Sequence, residues 1–220
     1  MHLEPSPLTQ PRHYKPYVWP AGEKLQLAPR AQTLMLDFCA LLENRQSRRD
    51  FKSIVGNFLL GDFLWLACRN RGSRPSPFGP DQESRVYPSA GAMHPIHVLL
   101  ARSGGPWLRY DVLEHALIEL PGSTDSAAQG RAAAHRLLEL DQGVLIGLLA
   151  EPGKTAAKYE NPETLVWRDA GVVLGYMSVV AEALDLNFCP LGISGSPHLA
   201  DFLPETSALH AVGLAVLGIA

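Results

Sequence analysis

Residues 143–184 read GVLIGLLAEPGKTAAKYENPETLVWRDAGVVLGYMSVVAEAL, and the fold class is decided here. The first eight, Gly143 to Ala150, are apolar without alternation and bounded by polar residues. That is the pattern of a central strand covered on both faces. Asn161-Pro162 then opens a long helix that runs to about Leu184. Leu165, Val172, Tyr176, Val179 and Ala183 line one of its faces, and Leu174, Met177, Ala181 and Leu184 another. Apolar on most sides, it belongs between layers or at a subunit interface.

Toward the C-terminus the pattern predicts a short strand near Phe188, a helix from about Ser196 to Leu203 and a last strand, Val212 to Ile219. Toward the N-terminus it predicts an Ala-rich helix over 125–140 and strands at Trp107–Tyr110 and His97–Ala101. Residues 71–85, RGSRPSPFGPDQESR, are rich in Gly, Pro and Ser and read as a long loop. Before it, a helix spans about Leu59 to Arg69, with Leu60, Phe63, Leu64 and Ala67 inward. Another starts at Ala31, with Leu34, Phe38, Leu41 and Leu42 on one face. Residues 1–30 hold six prolines and form an extended arm. Helices and strands mix without a regular βαβ alternation, so the class is α+β: one domain, 31–220, with a mixed or antiparallel sheet flanked by helices.

Composition narrows the function. The chain has 220 residues, 46% hydrophobic and 19% charged, which excludes disorder over most of it. Nineteen Lys and Arg against 22 Asp and Glu argue against a nucleic-acid binder but leave room for one local anion site. The charge-free run Ala170–Ala181 falls short of the roughly 20 residues of a spanning helix, so no membrane segment is expected. Cys39, Cys68 and Cys189 are too scattered for a disulfide framework, and the start, MHLEPSPLTQPRHYKP, lacks the apolar core of a secretory signal. A cytoplasmic location follows as an expectation. His94 and His97 form an HxxH at a strand entrance, where residues three apart face opposite ways. No metal is expected; one histidine should be packed and the other solvent-facing.

Three segments carry more chemistry than packing requires. Asn44 to Phe51 offers Arg45, Ser47, Arg48 and Arg49, which suit a phosphate dianion but equally a solvated helix end. Tyr87 to Pro95 sets Pro88, Ser89, Ala90 and Gly91 between prolines, allowing close backbone approach to a flat ligand or an ordinary turn. Cys189 to Gly195 has glycines that present N–H groups or permit a sharp turn.

In their order these segments resemble the nitroreductase superfamily: Arg45-x-Ser47-x-Arg49-x-Phe51, Pro88-Ser89-Ala90-Gly91-x-x-x-Pro95, Lys158-Tyr159, Asp169-Ala170-Gly171 and Pro190-Leu191-Gly192. More closely they resemble its SagB-type dehydrogenases, the flavin partners of azoline-forming enzymes in peptide natural-product maturation. The resemblance implies an FMN-binding α+β fold, a homodimer with flavins at the interface, and a complex with azoline-forming partner enzymes. It assigns Arg45, Ser47 and Arg49 to the FMN phosphate and ribityl chain. Pro88, Ser89, Ala90 and Gly91 of the other subunit lie against the ring, and Pro190, Leu191 and Gly192 cover its edge. Lys158 and Tyr159 match a pair that serves in substrate deprotonation. The sequence departs from the family pattern at His94, which stands where an aromatic is usual, and after the last strand, where many members carry Arg or Lys and this sequence ends at Ala220. The alternatives are a flavin reductase or nitroreductase with a nicotinamide donor, and a flavin-free scaffold partner of the same fold.

Overall fold

Both faces of the Gly143–Ala150 run are covered in the computed structural model, which describes residues 3–28, 35–140, 142–204 and 208–220. In chain order the strands are β1 (Ser6–Pro7), β2 (Lys24–Gln26), β3 (Asn70–Arg74), β4 (Gln82–Arg85), β5 (Ile96–Ala101) and β6 (Leu108–Asp111). They continue with β7 (Ala116–Glu119), β8 (Val144–Ala150), β9 (Tyr159–Glu160), β10 (Asn187–Pro190) and β11 (His210–Gly218). The helices are α1 (Phe38–Asn44), α2 (Asn57–Cys68), α3 (Thr124–His135), α4 (Pro152–Ala156) and α5 (Glu163–Ala183).

One seven-stranded sheet, in the order β10-β11-β8-β5-β6-β7-β2, dominates. Its pairings are antiparallel throughout. Strand β8 lies between β11 and β5, and its alternating side chains feed two cores. Val144, Ile146 and Leu148 pack with Leu60, Phe63 and Leu64 of α2 and Val173 and Met177 of α5. Leu145 and Leu149 face the other way, toward Trp107, Ala127 and Ala134. Two covered faces explain why β8 shows no polar alternation.

By length and composition α5 could cross a membrane. Here it is a core helix, burying Val166, Ala170, Val173, Met177 and Ala181. The buried stripe includes Met177 and Ala181 of the expected faces but runs through Val166 and Val173, which the sequence reading left out. Trp167 and Tyr176 of α5 stay exposed, as do Met35, Phe38, Leu42, Ile54 and Phe58. Of the apolar face expected for α1, Phe38 and Leu42 are exposed, Leu41 is half-buried and none is fully buried; Leu34 lies outside the described residues.

Three other expectations are corrected. Residues 71–85 are not a plain loop: β3 and β4 pair antiparallel, with Arg74 opposite Gln82. Both strands are polar, NRGSR and QESR, so no apolar alternation marks them, and the prolines between them read as loop. The expected helix at 196–203 is a series of turns, with Leu199 and Leu203 buried against the sheet. The apolar spacing was real, but the backbone hydrogen bonds are isolated, Leu199 N to Gly195 O and then Ala200 N to Pro197 O and Leu203 N to Ala200 O, and do not run on into a helix. Neither histidine of the HxxH faces solvent: His94 is 3% exposed, and His97 is largely buried with its Nε2 2.9 Å from Glu151 Oε2. Among the described residues no group of three or more His, Cys, Asp or Glu is placed to hold a metal.

The proline-rich arm is extended but pinned. β1 pairs with β9, Ser6 opposite Glu160 and Pro7 opposite Tyr159, while β2 completes the edge of the main sheet. The amides of Leu8 and Arg12 donate to the carbonyls of Lys158 and Ala157, each at 2.9 Å, and Tyr17 N donates to Glu151 Oε1 at 2.7 Å.

Candidate functional site

Asp169 is a carboxylate in the middle of an apolar helix, and it organises one half of the site. Its Oδ2 accepts from Ser89 Oγ at 2.6 Å and its Oδ1 from Ala90 N at 3.0 Å. Burial raises the Asp169 pKa, and these two bonds work against the rise. Ser89 Oγ in turn accepts from His94 N at 2.9 Å. The loop so held is unusual, since Gly91, Ala92 and His94 have φ of +60°, +57° and +46°. Such a run of left-handed residues persists only where its surroundings over-determine it.

Lys158 and Tyr159 converge on this loop. Lys158 Nζ donates to Gly91 O at 3.1 Å, and the same carbonyl accepts from Gln82 Nε2 at 2.8 Å. A Cβ on Gly91 would lie 2.7 Å from Lys158 Cδ and 2.9 Å from Tyr159 Oη. Glycine is required here by both conformation and space. Helix α4 delivers the pair, and β1 braces it from outside.

The other half of the site lies across α5. Arg48 N donates to Phe188 O at 3.2 Å, bringing segment 45–49 beside β10, which leads into Leu191 and Gly192. Arg48 is used structurally, in a 2.8 Å ion pair with Glu182. Arg45 makes one long contact, 3.5 Å to Ser178 Oγ, while Ser47 and Arg49 are exposed with no hydrogen-bond or ion-pair partner among the described residues. A Cβ on Gly192 would meet nothing within 4 Å. Two guanidiniums and a hydroxyl free of carboxylates among the described residues suit a phosphate-bearing cofactor.

The expected residues thus form two groups. Pro88, Ser89, Ala90 and Gly91 stand with Lys158 and Tyr159; the segment of Arg45, Ser47 and Arg49 meets β10, the strand that ends at Pro190 and leads into Leu191 and Gly192. Their anchors on α5, Asp169 and Ser178, are nine residues apart. At about 1.5 Å and 100° per residue, that is roughly 14 Å along the helix and on its opposite side. One chain does not bring the two groups around one ligand.

Sequence reasoning named Asp169 only as part of the Asp169-Ala170-Gly171 element, without a role, and missed Gln82 and a buried charged cluster below the loop. In the cluster Glu83 Oε2 accepts from Arg85 Nε at 2.7 Å, and Arg85 Nη1 donates to Tyr87 Oη at 2.8 Å. Burial would raise the Glu83 pKa, but Arg85 and Lys154 bring it down to about 2. Burial, reinforced by Arg85 and Lys154, lowers His94 to about 4. It also lowers His97 to about 4 despite the Glu151 hydrogen bond. A carboxylate or histidine within an apolar stretch was the sequence signal for such groups.

These shifts set a pH dependence. In the folded state the two histidines are neutral down to about pH 4, whereas in the unfolded chain they protonate near 6.5. Between those values the unfolded state binds more protons, so stability is full above 6.5 and lost as pH falls toward 4. Each histidine contributes a slope of up to about 1.4 kcal/mol per pH unit. The melting temperature should drop from pH 7 to pH 5, and less steeply in His94→Asn. A flat profile in wild type would contradict the burial of these groups.

The profile of the Nitroreductase family matches residues 42–219. Comparison with curated proteins gave no significant match. Among solved structures, a presumed nitroreductase of Ralstonia eutropha JMP134 superposes with a TM-score of 0.68 at 21% identity, covering 99% of both chains. A chain of the Escherichia coli microcin synthetase McbBCD complex, solved with truncated pro-MccB17 bound, gives 0.62 at 18% identity over 89% of this chain and 77% of that one. A presumed nitroreductase of Desulfovibrio desulfuricans in complex with FMN gives 0.52 at 16% identity over 82% and 84%. The two polar half-sites stand on a sheet and helix arrangement shared with these proteins, and the chain belongs to the nitroreductase family, as an oxidoreductase.

Proposed function

We propose that this protein dehydrogenates thiazoline or oxazoline rings in a peptide to the aromatic azoles, as a SagB-type enzyme working with azoline-forming partners. The observation that carries the reading is the convergence of Lys158 and Tyr159 on Gly91 of the 88–94 loop. Making an azole removes one ring proton and one hydride. FMN, when bound, supplies the hydride acceptor that no side chain can provide. Lys158 takes the carbon-bound proton, and Tyr159, next to it in β9, orients or shares that proton. Fold likeness to a chain of the microcin synthetase complex supports the peptide substrate.

The site is completed by a second copy of the chain. Its two half-sites lie on opposite sides of α5, and the apolar side chains of Phe38, Leu42, Phe58 and Trp167 are uncovered in one copy. Arg45, Ser47 and Arg49 of one protomer, with its Pro190 to Gly192, and Pro88 to Gly91 of a second protomer would together hold the FMN.

Two experiments test this reading. Under anaerobic single-turnover conditions, an azoline peptide should bleach the flavin; bleaching by a nicotinamide donor alone would make the protein a flavin reductase instead. Arg49→Ala should weaken FMN binding about tenfold or more, since a charge-assisted hydrogen bond is worth about 1.5–3 kcal/mol. Unchanged dissociation constants in both Arg45→Ala and Arg49→Ala would reduce the segment to a solvated helix end.

A further inference from the structure

A groove of about 550 Å³ lies between the β3–β4 hairpin and the 88–94 loop, lined among others by Arg71, Arg74, Glu83, Arg85, Ser89 and His94. Its charge is unbalanced. The acidic group, Glu83, is already engaged by Arg85 at 2.7 Å and by Lys154 at 3.9 Å. Arg85 is buried and spent on Glu83, Tyr87 and the Ile96 carbonyl. Arg71 and Arg74, by contrast, are exposed and among the described residues meet only neutral acceptors: Ser84 Oγ at 3.5 Å for Arg71, and Gln82 Oε1 at 3.2 and 3.0 Å for Arg74. His94 adds a buried Nδ1 with no partner.

We propose that this groove holds a carboxylate-bearing segment of the peptide substrate, with Arg71 and Arg74 as its anion donors and His94 beside them. The inference deepens the peptide reading above and rests on it for the nature of the ligand. Guanidinium forks suit carboxylates and phosphates alike. The hairpin favours a peptide: β3 and β4 form a separate two-stranded sheet, and its outer edges carry backbone groups that an extended chain can pair with. A phosphate gains nothing from a strand edge.

The groove is also wired to the reacting pair. Gln82 accepts from Arg74 through Oε1 and donates through Nε2 to Gly91 O, the carbonyl that Lys158 also binds. An acidic residue seated on Arg74 therefore lies one side chain away from the atom that fixes Lys158. Seating the peptide and aligning the base use the same hydrogen-bond chain.

The test is direct binding, read by fluorescence anisotropy on the FMN-loaded protein. The probes are dye-labelled octapeptides with a central thiazole, inert to turnover, flanked either by two glutamates or by two glutamines. Wild type should bind the glutamate peptide at least tenfold more tightly at low salt, and the preference should shrink as salt rises. Arg71→Gln with Arg74→Gln should abolish it at an unchanged melting temperature, and Arg71→Glu with Arg74→Glu should transfer the preference to a lysine-flanked peptide. Equal binding of the glutamate and glutamine peptides to wild type would overturn the proposal. So would displacement of the glutamate peptide by pyrophosphate at lower concentration than by the unlabelled peptide, which would assign the groove to a phosphate. A glutamate preference without azoline-dependent bleaching would refute the oxidation reading and leave the groove assigned; bleaching without the preference would refute the groove alone.

Discussion

Lys158→Ala should keep its flavin and lose about a hundredfold or more of its azoline-dependent flavin reduction, the usual cost of removing a general base. The loss is expected to be chemical because the loop survives the change. Gly91 O is still held by Gln82 at 2.8 Å, and Ser89 and Ala90 are still anchored on Asp169. Tyr159→Phe removes only a hydroxyl beside Gly91 and should give a smaller defect in the same assay. Bleaching by a nicotinamide donor serves as the control, since it needs no proton from a substrate carbon. Variants that match wild type with the azoline peptide would mean that the pair merely packs against Gly91, and the azoline assignment would fall.

Asp169→Ala should be the most destabilising single change at the site. It deletes a buried carboxylate that accepts two hydrogen bonds and leaves Ser89 Oγ and Ala90 N without it. Bonds to a charged group contribute about 1.5–3 kcal/mol each, and an unsatisfied buried donor costs about 1–3 kcal/mol. A total near 3 kcal/mol lowers the melting temperature of a chain this size by roughly 6–12 °C. The left-handed residues at 91, 92 and 94 would then relax, carrying Gly91 away from Lys158. Asp169→Asn keeps one acceptor and should fall between the two. If Asp169→Ala melts like wild type, the loop is fixed by something other than this carboxylate.

The apolar run at 143–150 and the helix at 161–184 were legible because both obey simple burial rules, and α2 with Leu60, Phe63, Leu64 and Ala67 was legible for the same reason. The β3–β4 hairpin was not, because proline and glycine between its strands mask a pairing that depends on the partner strand. Strands β1 and β2 were hidden for a related cause: each pairs with a segment far along the chain. At the site, residue types revealed the candidate phosphate donors and the Pro-Ser-Ala-Gly loop. The partners that give the loop its shape, Asp169 and Gln82, are single polar residues whose meaning is purely spatial. The separation of the candidate residues into two groups across α5 could not be read from spacing, since it depends on which face of one helix each segment meets.

The seating of the N-terminal arm makes completion of the site a late event in the life of the chain. Tyr17 binds Glu151, a residue 134 positions further on, and Leu8 and Arg12 bind the carbonyls of Lys158 and Ala157. At about 5–20 residues per second of synthesis, the arm emerges and waits on the order of ten seconds for its partners to be made. Throughout that interval its backbone is free to meet other chains, and the segment bearing Lys158 and Tyr159 later arrives with one edge open. The same docking sets how the finished protein opens. The amides of Leu8 and Arg12 should exchange with solvent together, faster than those of β8, in a local event that uncovers the segment bearing Lys158 and Tyr159 and leaves the central sheet intact.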